Sequence, residues 1–342
     1  MLIVGDVGGT KTLLASIDTV ADNNLEYIKT YKSYNYATFD AILEDYLNTH
    51  FKPAADIKAI SLAVAGPVAN NHSRLTNLTW SIGANQIQEK TNINKVHIYN
   101  DLEAIAAAIC YDAGSLNLTV LKTVDKPRRP SSDYAAKAII APGTGLGMSY
   151  AIFYNGQYIV LPSQGGHINF APQTKLQSEL LEYIQLNINV RSARQVGLEQ
   201  VCSGVGLPNI FNFFRYYKKI NLATEFIGIN TDQDPKELVP MIINNAINNT
   251  CELCYVTIQL FLEILAQAIQ TLALTVYAID GIYLAGGIAL ALKTYLQQTK
   301  FLSQIVNNTT MREVLDKFPI YLCENKNIAL LGASKLVNLK CV

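Results

Sequence analysis

What the 342-residue sequence has little of narrows its chemistry first. It has no excess of charge: 27 basic and 27 acidic residues cancel, so no large field of one sign draws in nucleic acid, an anionic membrane or a polyacidic partner. A small ligand is the expected partner, and weak mutual repulsion between copies permits a homodimer. The six cysteines, Cys110, Cys202, Cys251, Cys254, Cys323 and Cys341, are too scattered for a disulfide framework. Cys251 and Cys254 form a lone CxxC, but no second CxxC exists and no histidine follows at zinc spacing. In a helical-looking tract, Glu252 to Ala278, they read as reduced structural thiols. Export signals are lacking too: MLIVGD opens the chain without a basic stretch or a long uninterrupted apolar run. The longest apolar tract, Leu272 to Leu292, is broken by Asp280, Gly281, Gly286 and Gly287, and reads as a buried helix followed by a buried strand. A soluble, cytoplasmic protein is expected, in which Asn77-Leu78-Thr79 carries no glycan.

What is present is a core. At 50% hydrophobic residues the chain is long enough for two domains. Residues 2 to 18, LIVGDVGGTKTLLASID, read as strand, glycine-rich turn, strand. Residues 137 to 160 repeat that grammar around Gly143-Thr144-Gly145-Leu146-Gly147, followed by a hairpin turn at Asn155-Gly156. Between them lie a helix (Thr38 to Thr49), strands (Lys58 to Ala65 and Lys95 to Tyr99) and a second helix (Leu102 to Asp112). The mixture predicts an α/β protein with at least two sheets.

Spacing excludes two familiar readings of the glycines. GDVGGTKT has Thr10 where a P-loop needs its second glycine, and a strand follows where a P-loop opens a helix. The Gly143 turn spells GxGxG, precedes a strand (Ser149 to Phe153), and lacks an acidic residue about 20 positions on. A glycine turn between strands can still aim consecutive N–H groups into one concavity that takes phosphate oxygens; it can also be a plain hairpin turn. Thr10 and Thr144 beside the glycines, and Asp6 able to hold Mg²⁺ through water, favour phosphate. Gly286-Gly287 closes a buried strand (Gly281 to Ala285), either for close approach of a flat ligand or as a tight strand-to-helix turn. Asn100-Asp101 lies where a strand passes into a helix. There Asp101 is a helix cap, a working carboxylate, or both.

The motifs GDVGGTKT, TNLTW (76–80), NDL (100–102), PGTGLG (142–147), GGHINFAP (165–172), EQVCSGVGL (199–207), LAGGI (284–288) and LLGA (330–333) together resemble the bacterial glucokinase family of the sugar kinase/hexokinase/actin superfamily. The resemblance implies a two-domain, ribonuclease H-like (actin-like ATPase/hexokinase) α/β fold with an interdomain cleft that closes on substrate. Residues 1–113 plus about 325–342 would form the small domain and 114–324 the large one. It implies transfer of the ATP γ-phosphate to the glucose 6-hydroxyl, with Asp101 as catalytic base. Gly5, Asp6, Val7, Gly8, Gly9, Thr10, Thr144, Gly145, Gly286 and Gly287 would lie on ATP. Asn100, Asp101, Gly145, Gln164, His167 and Glu199 would lie on the sugar, with Mg²⁺ held by Asp6 through water. The related ROK branch carries a His/Cys zinc site, but here only Cys202 falls between His167 and the CxxC, and no zinc is expected. The family usually has glutamate where this chain has Gln164. Charged acceptors bind hydroxyls more strongly than neutral ones, so weaker or altered sugar choice is expected. The rival readings are a kinase for another hexose or an N-acetylated amino sugar, and a non-catalytic sugar sensor. Asp125 to Asp133 (DKPRRPSSD) reads as an exposed loop, and Asn221 to Pro240 as an irregular connection.

Overall fold

The computed structural model describes residues 1–18, 23–51, 57–75, 78–124, 135–187, 195–220 and 235–337. Residues 125–133 and 221–234, Thr76, Asn77 and Cys341 lie outside the described residues.

The chain divides into two compact units. The first comprises Met1–Leu118, Tyr158–Pro162 and Glu324–Val342, and the second Thr119–Gln157 and Ser163–Cys323. In the first, β1 (Leu2–Val7), β2 (Lys11–Ile17) and β3 (Glu26–Lys32) form an antiparallel meander. Helix α1 (Phe39–His50) follows, capped by Thr38, whose Oγ1 accepts the Ala41 N–H at 3.3 Å. Strand β4 (Ala59–Val64) then pairs parallel to β1. Three short strands, β5 (Val68–Ala69), β6 (His72–Arg74) and β7 (Ser81–Gly83), make a small antiparallel sheet before α2 (Ala84–Thr91). Strand β8 (Val96–Asn100) pairs parallel to β4 and runs into α3 (Asp101–Tyr111). The sheet order is β3-β2-β1-β4-β8. Every residue of β4 is buried, as a parallel strand covered on both faces requires. One face packs a core containing Phe39, Tyr46, Trp80 and Ile87.

The second unit holds most of a six-stranded sheet of order β12-β11-β10-β13-β14-β9, in which Tyr158–Pro162 of β12 are counted with the first unit. Its strands are β9 (Leu118–Lys122), β10 (Ala135–Pro142), β11 (Leu146–Tyr154), β12 (Gln157–Ser163), β13 (Ile282–Leu284) and β14 (Ile320–Cys323). The turn between β11 and β12 has Asn155 at φ 49° and Gly156 at φ 81°, the left-handed pair a two-residue hairpin needs. The helices are α4 (Lys175–Asn187), α5 (Gly206–Asn212), α6 (Pro235–Ile247), α7 (Glu252–Val276), α8 (Gly287–Ala291), α9 (Lys293–Leu296), α10 (Thr299–Ile305) and α11 (Arg312–Leu315). Helix α6 corrects the reading of Asn221 to Pro240 as irregular, since residues 235–240 are its first turns and Pro235 suits the first helical position.

Helix α7 is the one helix among the described residues long and apolar enough to cross a membrane. Its buried face, from Leu253 to Ala273, instead fills the core of the second unit. The broken tract Leu272 to Leu292 holds the end of α7, strand β13 and α8. Cys251 caps α7, its Sγ accepting the Cys254 N–H at 3.4 Å, and burial pushes the Cys254 thiol far up. Helix α12 (Ile328–Leu336) returns to the first unit, where it packs on β1, β4 and α3 and accepts the Ser61 hydroxyl on Ala333 O at 2.7 Å.

Candidate active site

In the first unit the parallel strands β1, β4 and β8 all end on one edge of the sheet. Register places Val7 beside Val64 and Val64 beside Asn100. That edge therefore collects Asp6, the Gly8–Thr10 turn, Asn100 and Asp101, where α/β sheets bind ligands. Asn100, not Asp101, is the cap of α3: its Oδ1 accepts the Leu102 N–H at 3.0 Å while its Nδ2 donates to Gly66 O at 3.0 Å. The cap holds the strand end to the neighbouring loop, and one Asp101 oxygen accepts the Leu102 N–H at 2.9 Å. Burial foremost, then the charge of Asp6, pushes the Asp101 carboxyl up to about 7, against hydrogen bonds from the backbone and Asn100 that lower it. Burial likewise pushes Asp6 up to about 6, opposed by the cation of Lys11.

The first glycine turn is tighter than its sequence suggests. The Gly8 N–H is spent on Lys11 O at 3.0 Å. Among the described residues no acceptor holds the N–H groups of Gly9 or Thr10, and these are the donors left for a phosphate. Two residues assigned to ATP from the sequence also serve the packing of β1. Val7 is fully buried core, and a Cβ on Gly5 would lie 2.6 Å from the Leu62 side chain, so Gly5 serves strand packing.

The second unit gathers its own set. The Gly143 N–H closes on Gly145 O at 2.9 Å, and Gly143 O accepts the Gly204 N–H at 2.8 Å. Glu199 lies on this turn: its Oε2 accepts the Leu146 N–H at 2.8 Å, and a Cβ on Gly145 would stand 2.3 Å from the same oxygen. Gly145 is thus a glycine so that Glu199 can lie flat against the loop. The segment carrying Gln164 and His167 is drawn in by Gly166, where a Cβ would meet Leu146 O at 2.0 Å. It pairs with the Glu199 segment through Leu198 N–H to Ile168 O at 2.8 Å and Phe170 N–H to Val196 O at 2.8 Å. Gln164 and His167 are exposed, and their side chains have no partner among the described residues. Gly286, at φ 90°, crosses over Pro142 so closely that a Cβ would lie 2.5 Å from its carbonyl oxygen, whereas Gly287 faces open space. Thr144, Gly145, Gln164, His167, Glu199, Gly286 and Gly287 all therefore lie on or beside the second glycine turn.

The order of these motifs extends over almost the whole chain: a family model for glucokinase matches residues 3–340. The chain belongs to the glucokinase family. The glucokinase of Nostoc punctiforme is 31% identical over 346 residues, 98% of each chain. Among solved structures, a glucokinase from an Antarctic psychrotroph matches with a TM-score of 0.76 at 27% identity, covering 98% of both chains. The glucokinase of Balamuthia mandrillaris, solved in complex with glucose, matches in fold with a TM-score of 0.79 at 18% identity, over 98% of this chain and 92% of that one. The two-domain, actin-like α/β fold expected from the sequence is the fold of this glucokinase-family chain.

Sequence reasoning missed the residues that hold the glycine turns in shape. Ser33 donates its hydroxyl to Gly8 O at 2.7 Å, and Gly204 holds Gly143. Ser33 lies 25 positions from Gly8 and in no glycine motif, so no local signal marks it. The donor set at the first turn also suits Mg²⁺. Asp6 and Asp101 are hard oxygen ligands close enough for one to raise the other, and Mg²⁺ takes one or two carboxylates together with substrate phosphates.

Proposed function

We propose that this protein phosphorylates glucose at its 6-hydroxyl with ATP, giving glucose 6-phosphate and ADP, the first step of glycolysis. The observation that carries the reading is Asp101, at the start of α3, capped by its neighbour and with its carboxyl pushed up to about 7. A general base is most effective with a pKa near the operating pH. Asp101 accepts the proton of the sugar hydroxyl as the γ-phosphate transfers. Phosphoryl transfer otherwise needs positioning and charge neutralisation. The N–H groups of Gly9 and Thr10, and of Thr144, hold phosphate oxygens. Asp6 would hold Mg²⁺, which would supply neutralising charge for the transfer. Glu199, locked by Leu146, accepts sugar hydroxyls; His167 and Gln164 offer further polar atoms, and the space at Gly287 admits the flat adenine.

A coupled ADP-release assay across glucose, mannose, fructose and N-acetylated amino sugars tests the reading. Glucose ranks first if it is right. Another ranking supports a different hexose kinase, which the exposed amide at Gln164 favours, and no sugar-dependent ADP indicates a sensor. We further expect a cytoplasmic homodimer, in keeping with the absence of net charge; light scattering at twice the 37.6 kDa chain mass checks the dimer.

A further inference from the structure

We infer that Ser33 is the positioning residue that aims the first phosphate loop, an inference that rests on the glucokinase reading of Gly8 to Thr10. A trans peptide holds its C=O and the following N–H on opposite sides. Drawing the Gly8 carbonyl onto the Ser33 hydroxyl, at 2.7 Å, therefore turns the Gly9 N–H the other way, away from Ser33. Ser33 has a single hydroxyl hydrogen, spent on Gly8, so the 3.0 Å contact with Thr12 Oγ1 is a bond donated by Thr12. The relay runs from Thr12 through Ser33 to Gly8. Ser33 also gives its own N–H to Thr10 O at 3.1 Å, so one residue grips both ends of the turn. Both hydroxyl residues are fully buried, and water cannot stand in for either.

The second loop is built on the same principle from the backbone alone. The Gly204 N–H holds the Gly143 carbonyl at 2.8 Å and so turns the Thr144 N–H away from it. In the first loop the pin is a side chain, which mutation can remove.

Ser33→Ala deletes the pin, and the KM for ATP rises about tenfold, the order of one lost hydrogen bond, while the KM for glucose stays within about twofold. Ser33→Cys, which fills the space with a weak donor, gives a smaller rise, and so does Thr12→Val, which leaves the Gly8 bond in place. Titration with a fluorescent ADP analogue in the absence of sugar shows the same ranking without turnover. A folded Ser33→Ala protein with unchanged affinity for the analogue, or with ATP and glucose KM raised alike, overturns the inference. Should Ser33→Ala fail to fold, Ser33→Cys decides: wild-type affinity for the analogue overturns it. Wild-type protein that neither binds the analogue nor phosphorylates glucose overturns the glucokinase reading together with the inference. An active wild type with an insensitive Ser33 variant overturns the inference alone.

Discussion

At Asp101 function and stability pull in opposite directions. Burial and the Asp6 charge raise its carboxyl to about 7, so the folded protein binds that proton more tightly than the unfolded chain, whose aspartate titrates near 3.8. The contribution is fully favourable below about pH 4 and is lost as pH rises through about 7. Asp101→Asn, which carries no charge at any pH, should therefore gain thermal stability over the parent progressively from pH 4 to 7 and level off above. The gain at pH 8 should be about 2–4 kcal/mol by linkage, read as a higher Tm. The same change should lower kcat by about 10²–10⁴-fold with glucose binding still measurable by titration. In the parent, kcat/KM should fall on the acid side with an apparent pKa near 7 that belongs to the Asp6–Asp101 pair. Removing the neighbouring negative charge in Asp6→Asn should move that limb to lower pH. Gln164 is the other residue with a sharp expectation. Gln164→Glu should lower the KM for glucose several-fold, since a charged acceptor makes hydrogen bonds roughly twice as strong; unchanged KM for every sugar would return Gln164 to a surface residue.

Among the elements, those with strong periodicity and punctuation were legible in the sequence. The strand read over Lys58 to Ala65 is β4 at Ala59–Val64, and the helix read over Leu102 to Asp112 is α3 at Asp101–Tyr111. Asn155-Gly156 gave the hairpin because few other pairs tolerate two left-handed residues. The candidate site was legible as glycine turns and a strand-to-helix carboxylate, because such turns constrain local residue types. Its supports were not. Ser33 lies in no motif, and although Gly204 and Gly166 do, their contacts with Gly143 and Leu146 are long-range packing facts that no local pattern reveals. Gly332 is similar: it reads as part of LLGA, yet its role is that a Cβ there would fall 1.7 Å from Ala104 O on α3. Gly332→Ala should push α12 off the helix that carries Asp101 and cost about 1–3 kcal/mol or more, lowering Tm by several degrees and kcat with it. Gly287→Ala, at an open position, should leave Tm unchanged.

For the molecule as a whole, the chain's last helix belongs to the unit with which the chain begins. Helix α12 covers β1 and β4, receives the Ser61 hydroxyl at Ala333, and takes the Tyr99 hydroxyl on Leu336 O at 3.1 Å. A protein truncated before Glu324 should expose the apolar face of that sheet and be recovered largely as aggregate. Soluble protein with wild-type circular dichroism would count against this. The same placement of α12 has a consequence for the living chain. On the ribosome the first unit is begun first but lacks a wall until α12 emerges, whereas residues 119–323 are all available earlier. The order of completion is then the reverse of the order of synthesis: the half holding Asp101 is closed only after the half that follows it has been made.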